Sequence, residues 1–178
     1  LRLRSYGVPT TDKPCFLELK KKYKSIVFKR RISAPYTDIK SYMAGEDSGI
    51  ENSQILKEID YFRRFYGCLK PAADIFYDRE AFYDRTDSSV RLTFDSNALA
   101  RGWDLELENG IYGERVLENG LYILEVKTSG AMPMWIAEML NEFKIYPISF
   151  SKYGTAYKNG LLTRENKKII TLGGEYCA

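Results

Sequence analysis

The fold of this chain is decided between residues 15 and 32, where the sequence reads CFLELKKKYKSIVFKRRI. Apolar and polar residues alternate on both sides of the Tyr23-Lys24-Ser25 turn, so we predict a hairpin of two strands, Cys15–Lys22 and Ile26–Ile32. A period of two places alternate residues on the same face of a strand. An antiparallel sheet with one apolar and one charged face is therefore the expected core of the fold.

The same period of two recurs along the chain between glycine-rich turns. It predicts further strands at Leu1–Tyr6, Ile75–Tyr83, Val90–Asp95, Trp103–Leu107 and Leu121–Lys127. Two segments have apolar residues at helical spacing instead: Ser53–Tyr66, which ends at Gly67, and Pro133–Phe143. We expect both helices to cover a sheet, the second with Trp135, Ile136, Met139, Leu140 and Phe143 turned inward, and an irregular or short-strand tail over 166–178.

Composition limits the class of protein. With 178 residues, of which 44% are apolar, the chain can fill one hydrophobic core, and we expect a single domain over residues 1–178. No apolar run approaches the roughly 18–20 residues of a membrane span. Three scattered cysteines argue against a disulfide framework and favour a cytoplasmic location. The absence of histidine excludes every Ser-His-Asp and Cys-His arrangement, so catalysis would rest on carboxylates, lysines, arginines or a metal.

Each predicted strand carries charged residues on one face. The pairs that share a face are Arg2 with Arg4, Glu18 with Lys20, Lys29 with Arg31, Arg91 with Asp95, and Glu125 with Lys127. Two interpretations are open, because such a face can be the wetted side of an antiparallel sheet or the interior of a closed barrel whose outer face the helices cover.

A barrel lined in this way has a chemical meaning. Guanidinium and ammonium groups match phosphate oxygens, and a row of cations suits a chain of adjoining phosphates. A carboxylate in such a row would be repelled by phosphate unless a divalent cation lay between them. Glu18 or Glu125 is thus a candidate ligand of Mg²⁺ or Mn²⁺, and the alternative for each is a salt bridge to the neighbouring lysine.

The basic residues also raise the question of nucleic acid. The net charge is only +3, but seven of the twelve residues 20–31 are basic, and the chain has 14 tyrosines that could stack on bases. These basic residues lie on alternating strand faces, however, and the sequence contains no RNA-binding signature. We therefore expect no nucleic-acid partner.

Seven blocks of the sequence carry a family resemblance. They read LRLRSYG (1–7), FLELK (16–20), VFKRR (27–31), YDREAF (77–82), VRLTFD (90–95), LEVK (124–127) and SFSK (149–152). In this order they resemble the VTC domain, the catalytic module of the vacuolar transporter chaperone complex and its bacterial relatives, which belongs to the triphosphate tunnel metalloenzymes. The resemblance covers most of the chain.

The resemblance implies an α+β fold built on an antiparallel β-barrel of the triphosphate tunnel type, with covering helices. Because the family's N-terminal part would precede Leu1, we expect residues 1–178 to be the C-terminal portion of a longer domain, incomplete at the N-terminus. The partners that it implies are ATP and inorganic polyphosphate, with Mn²⁺ or Mg²⁺ as cofactor.

The resemblance also implies roles for individual residues. Those expected to bind phosphate are Arg2, Arg4, Lys20, Lys29, Arg79, Arg91, Ser151 and Lys152; Lys20, Arg79 and Arg91 are the candidate catalytic residues, and Glu125, with Glu18 as second candidate, would hold the metal. The implied reaction is transfer of the ATP γ-phosphate to a polyphosphate chain. Two alternatives are a tunnel-type triphosphatase and a non-catalytic module that binds polyphosphate or a nucleotide.

Overall fold

The computed structural model describes residues 1–11, 13–24, 26–67 and 69–162 and the backbone of residues 170–171. These residues form an α+β fold with antiparallel sheets, as predicted. The strands are β1 (Arg2–Arg4), β2 (Pro14–Tyr23), β3 (Ile26–Pro35), β4 (Asp74–Tyr83), β5 (Arg91–Arg101), β6 (Tyr112–Arg115), β7 (Ile123–Lys127) and β8 (Ile170–Thr171). The helices are α1 (Tyr36–Ala44), α2 (Gln54–Tyr66), α3 (Met134–Glu142) and α4 (Lys152–Lys158), with a 3-10 turn at Leu107–Asn109.

The predicted hairpin forms the centre of the first sheet, whose strand order is β1-β2-β3. Leu17 lies opposite Leu3 on one side and Ile32 on the other, so the apolar positions of three strands share one face. Leu17 and Leu19 are only 1% exposed, because α1 and α2 pack against this face. Most of the charged residues lie on the opposite face, whereas Lys21 and Arg30 on the helix side pair with Glu58 of α2.

Helix α2 is confirmed to within one residue of its predicted start. The Ser53 side chain caps it by accepting a hydrogen bond from the Leu56 amide at 3.2 Å, and Gly67 ends it with a φ of 71° that favours glycine. Leu56 and Ile59 face the core. Helix α1 was not predicted, because its nine residues follow the long strand β3 directly at Pro35 without a polar cap.

Strand β5 is the centre of the second sheet. It pairs with β4 along one edge and with β6 and β7 along the other, and β6 pairs with β8. The predicted strand Val90–Asp95 is therefore the first half of a longer strand that continues to Arg101. Three apolar residues near its end are 0% exposed: Ala98, Leu99 and Ala100.

The prediction of a strand at Trp103–Leu107 was wrong. The chain bends after β5, and Gly102 packs so closely against Leu162 that an added Cβ would come within 1.7 Å of the Leu162 carbonyl oxygen. Asp104 has a φ of 52°, which breaks an extended conformation. A bend and a 3-10 turn take the place of the strand.

A buried ion pair holds this bend against the sheet. The Arg101 guanidinium, 0% exposed, donates to Asp74 Oδ2 from Nε at 3.1 Å and from Nη2 at 2.8 Å. It also donates to the carbonyl oxygens of Gly110 at 2.9 Å and Glu106 at 3.0 Å. Burial raises the pKa of Asp74 more than the charge and hydrogen bonds of Arg101 lower it. The two carbonyl bonds connect the end of β5 to the bend that follows it.

The predicted closed barrel is not formed by the described residues. Closure requires a partner on both edges of every strand. In the described ranges, strands β1, β3, β4 and β7 each pair along one edge, and the two sheets share no strand pairing. The segment between β3 and β4 forms α1 and α2 instead of a further strand.

Helix α3 is present but does not have the predicted buried face. Ile136 is 0% exposed, whereas Trp135 and Phe143 are 44% and 66% exposed. The expectation that these two aromatic side chains pack inward was therefore wrong.

In the part of the chain that the structure describes, no helix has the length and apolar character needed to cross a membrane.

Replacing Arg101 with methionine should leave the Asp74 carboxylate buried without its cation. We expect the free energy of unfolding to fall by about 3–5 kcal/mol, because one member of a buried pair is then uncompensated. Urea unfolding of wild type, Arg101→Met and the double variant Arg101→Met/Asp74→Leu measures this. The double variant should recover part of the loss, and a single variant within about 1 kcal/mol of wild type would contradict the prediction.

Candidate functional site

One cavity of 2410 Å³ is lined by charged residues from both sheets. The first sheet contributes Arg2, Arg4, Glu18, Lys20 and Lys29, and the second contributes Arg79, Glu125 and Lys127, while Ser151 and Lys152 come from the start of α4. Six of the seven cations with predicted phosphate-binding roles thus lie along one cavity, although the sequence separates them by up to 150 residues. Arg91 is the predicted cation that does not line it.

Strand pairing in the first sheet explains the position of Glu18. The register places Glu18 between Arg2 of β1 and Arg31 of β3. Arg2 donates to Glu18 Oε2 from Nε at 2.9 Å and also through Nη2, and Arg31 lies 3.9 Å from Oε1. The salt bridge considered for Glu18 is therefore made with arginines across the sheet. Lys20 and Lys29 lie opposite each other two pairs further along the same two strands.

The charged face of the second sheet is centred on Asp95, a residue without a predicted role. Asp95 is 0% exposed and lies opposite Arg79 in the β4–β5 register. Arg79 grips it with two hydrogen bonds, Nε to Oδ1 at 2.5 Å and Nη2 to Oδ2 at 2.6 Å. Lys152, the first residue of α4, donates to Oδ2 as well. One buried carboxylate thus binds two cations that lie 73 positions apart in sequence.

These contacts determine the charge state of Asp95. Burial acts to raise the pKa of Asp95, but the hydrogen bonds from Arg79 and Lys152 and their positive charges outweigh it, so the pKa lies below its usual range. The hydrogen bond to Asp95 in turn raises the pKa of Arg79. Asp95 and Arg79 are therefore both charged near neutral pH.

Glu125 lies beside this cluster on β7. Its Oε1 is 3.4 Å from Arg79 Nη2, and its Oε2 is 3.5 Å from Lys127 Nζ, which is the neighbouring-lysine salt bridge that the sequence left open. The Glu125 side chain is 37% exposed, so it remains accessible from the cavity. Within the described ranges, no three or more His, Cys, Asp or Glu side chains group as a metal site.

Tyr77 supports both cations of the cluster. Its ring centroid lies 4.2 Å from Lys152 Nζ and 5.2 Å from the guanidinium carbon of Arg79. Tyr77 is 7% exposed, so the aromatic face is largely shielded from water. A desolvated ring strengthens the attraction to a cation. Tyr77 therefore helps to hold the two cations on the cavity side of the sheet.

Two other predicted residues have distinct surroundings. The Arg91 guanidinium lies 5.3 Å from the centroid of the Tyr83 ring. Its Nε atom and the Oγ1 atom of Thr93 are buried with no hydrogen-bond partner in the part of the chain that the structure describes. Ser151 lines the cavity and caps α4, because its Oγ accepts from the Gly154 amide at 3.2 Å.

The sequence contained a signal for Asp95 that its pattern alone could not interpret. Asp95 follows Arg91 and Thr93 at a period of two, so it shares their face of β5. Its contact with Lys152 depends on the packing of α4 against the sheet, which no strand periodicity reports. Tyr77 and Lys127 lie in the blocks YDREAF (77–82) and LEVK (124–127), but the sequence predicted no phosphate-binding role for either residue.

The cavity residues lie within a recognised family domain. The family model for the VTC domain matches residues 1–160. The chain belongs to the VTC domain family. This assignment confirms the resemblance and relates the protein to polyphosphate chemistry. Comparisons with curated proteins and with solved structures each found no significant match. Every cavity residue named above falls inside the matched VTC range.

We expect Asp95→Asn to lower the stability of this VTC domain in a pH-dependent way. Because the folded-state pKa of Asp95 is lowered, the ionised group stabilises the fold above the unfolded pKa of about 3.9, and this contribution is lost as pH falls through the folded-state pKa. Near pH 7 the variant should be less stable by about 3–5 kcal/mol, since two cations lose their charged partner.

Chemical denaturation from pH 2 to pH 8 measures this difference. The difference in the free energy of unfolding between wild type and Asp95→Asn should become smaller below about pH 4. The exposed residue Asp47 offers a matched control, because Asp47→Asn removes a carboxylate without a buried cation partner. A gap that stays constant over the whole range would show that the charge of Asp95 is not what stabilises the fold.

Proposed function

We propose that this VTC domain binds ATP and inorganic polyphosphate in the cavity and transfers the γ-phosphate to the polyphosphate chain. The observation that carries the proposal is that Arg2, Arg4, Lys20, Lys29, Arg79 and Lys152 line one cavity. They come from four separate strands and a helix, so only the fold brings them together.

The charge of the cavity favours an anionic ligand. Each pair of like charges at separations of about 10–15 Å costs on the order of 1 kcal/mol at an effective dielectric constant near 20. Glu18, Asp95 and Glu125 each offset part of this repulsion through their ion pairs. The remaining positive charge is spread along the cavity, which suits a chain of phosphates better than a single compact anion.

The proposed reaction needs charge neutralisation and alignment more than a protein nucleophile. A terminal oxygen of polyphosphate attacks the γ-phosphorus of ATP, the bond to the β,γ-bridging oxygen breaks, and ADP leaves with that oxygen. Arg79 would bind the transferred phosphate through Nη1, because Nε and Nη2 contact carboxylates. Lys20 would hold a phosphate from the opposite sheet. A site without histidine can perform this step.

A divalent cation fits the cavity only in company with substrate phosphates. Mg²⁺ takes one or two protein carboxylates together with phosphate oxygens and water. Glu125 is accessible from the cavity and is paired in the β5–β7 register with Thr93, whose hydroxyl lacks a partner among the described residues. Mg²⁺ or Mn²⁺ held there would reduce the negative charge of the phosphates. Glu18 fits less well, because its side chain is 19% exposed against 37% for Glu125 and it accepts two hydrogen bonds from Arg2.

A non-catalytic module that binds polyphosphate is the second candidate. The observation that favours it is the lack of a three-carboxylate cluster among the described residues. Such a module needs the cations of the cavity but not the metal role of Glu125. A tunnel-type triphosphatase would use the same residues with water as the acceptor. The products distinguish all three.

Substitution of Lys29 tests the phosphate-binding role of the first sheet. We expect Lys29→Met to weaken binding of tripolyphosphate about tenfold and to reduce the dependence of affinity on salt, because one cation of the cavity is lost. Isothermal titration at two salt concentrations measures both. Lys57→Met is the matched control, since Lys57 is exposed on α2 and does not line the cavity. Equal affinities for the two variants would contradict the assignment.

Incubation with ATP and Mn²⁺ or Mg²⁺ tests the reaction itself. We expect polyphosphate chains that form a ladder on a gel, and Glu125→Gln should lose at least tenfold in turnover while its tripolyphosphate affinity without metal changes less than threefold. Glu118→Gln, at an exposed position outside the cavity, should behave as wild type. Free phosphate without a ladder would favour the triphosphatase, and binding without turnover would favour the non-catalytic module.

A further inference from the structure

The arrangement around Asp95 has a consequence for how the cavity recognises phosphate. We propose that Asp95 is a positioning residue, which fixes Arg79 and Lys152 as a pair that binds one phosphate group. The proposal rests on the proposed function, because it concerns the same cavity. Asp95 does not itself line the cavity and is 0% exposed, so it acts on a ligand only through its two partners.

The two hydrogen bonds between Arg79 and Asp95 determine which edge of the guanidinium group faces a ligand. Asp95 occupies Nε with one carboxylate oxygen and Nη2 with the other, at 2.5 and 2.6 Å. A two-point contact fixes the plane of the guanidinium, whereas a single contact would leave it free to rotate. Arg79 is therefore held with Nη1 directed away from the carboxylate. A long side chain that would otherwise sample many rotamers is restricted before the ligand arrives.

The same carboxylate positions a cation from a different part of the chain. Lys152 is the first residue of α4, and its ammonium group contacts Asp95 Oδ2, the oxygen that also accepts from Arg79 Nη2. The shared acceptor brings the two cations close together in spite of their repulsion. The Tyr77 ring lies against both cations and restricts their movement.

The charges leave this cluster suited to an anion. Asp95 contributes one negative charge against two positive charges, so the cluster keeps an excess of one before Glu125 is counted. An ammonium group has three donors, and only one is needed by Asp95. Restricting both cations in advance reduces the entropy that binding would otherwise cost. Loss of Asp95 should therefore weaken phosphate binding although it removes a negative charge from the neighbourhood of a phosphate.

The direction in which Asp95→Asn changes the affinity for tripolyphosphate distinguishes a positioning role of Asp95 from a purely electrostatic effect of its charge. If Asp95 acted only through its charge, Asp95→Asn would strengthen tripolyphosphate binding, because repulsion would fall. If Asp95 positions the pair, Asp95→Asn should weaken binding about tenfold. Isothermal titration with tripolyphosphate, without added metal, measures the direction. Asp47→Asn is the matched control, since it removes an exposed carboxylate that does not line the cavity and should leave the affinity within twofold of wild type.

A double-mutant cycle tests whether Asp95 acts through Lys152. We expect Lys152→Met to weaken tripolyphosphate binding. In the Lys152→Met background, Asp95→Asn should weaken binding by less than a further twofold, compared with about tenfold in the wild-type background. Asp95→Glu provides a second variant if Asp95→Asn does not fold. It keeps the charge but displaces the carboxylate by one methylene group, so the affinity should still fall severalfold.

The binding measurements distinguish failure of the positioning role of Asp95 from failure of the proposed function. Wild type that does not bind tripolyphosphate would overturn the proposed function and this proposal with it. Wild type that binds, with Asp95→Asn or Asp95→Glu at unchanged or higher affinity, would overturn the positioning role alone. Equal losses from Asp95→Asn in the wild-type and Lys152→Met backgrounds would also overturn it, because Asp95 would then act independently of Lys152.

Discussion

The repulsion among cations that line one cavity is the constraint on which the rest of the structure depends. A single sheet face could spread such charges into solvent, but here two sheets and the start of α4 direct them toward a common space. The fold offsets this cost with carboxylates that each bind two cations: Glu18 on the first sheet, and Asp95 and Glu125 on the second. Helices α1 and α2 pack on the apolar face of the first sheet and bury Leu17 and Leu19.

The sequence predicted those elements whose structure follows from local periodicity. Alternation located the hairpin of β2 and β3 and strand β4, and the Ser53 cap and Gly67 stop delimited α2. It failed where distant contacts override the pattern. Trp103–Leu107 alternates like a strand, but the hydrogen bonds from the Arg101 side chain to the Glu106 and Gly110 carbonyl oxygens hold this part of the chain in a bend. The buried face of α3 could not be predicted, because it depends on what packs against the helix.

The candidate site was predictable as a set of charged faces but not as a set of contacts. A period of two shows that Arg91, Thr93 and Asp95 share a side of β5. It does not show that Asp95 lies near Lys152, nor that Arg91 lies by Tyr83 instead of in the cavity. The family resemblance named most of the cations that line the cavity. The carboxylate between them emerged only from the packing of β4, β5 and α4.

Strand β1 has a further significance for the behaviour of the protein in solution. Within the described ranges it is one of the two edge strands of its sheet, and edge strands are the ones that can pair with other chains. Arg2 and Arg4 place positive charge along that edge and oppose such pairing. The same guanidinium groups line the cavity. An anion bound in the cavity would neutralise positive charge at this edge as well, so the charge of the edge depends on whether the cavity is occupied.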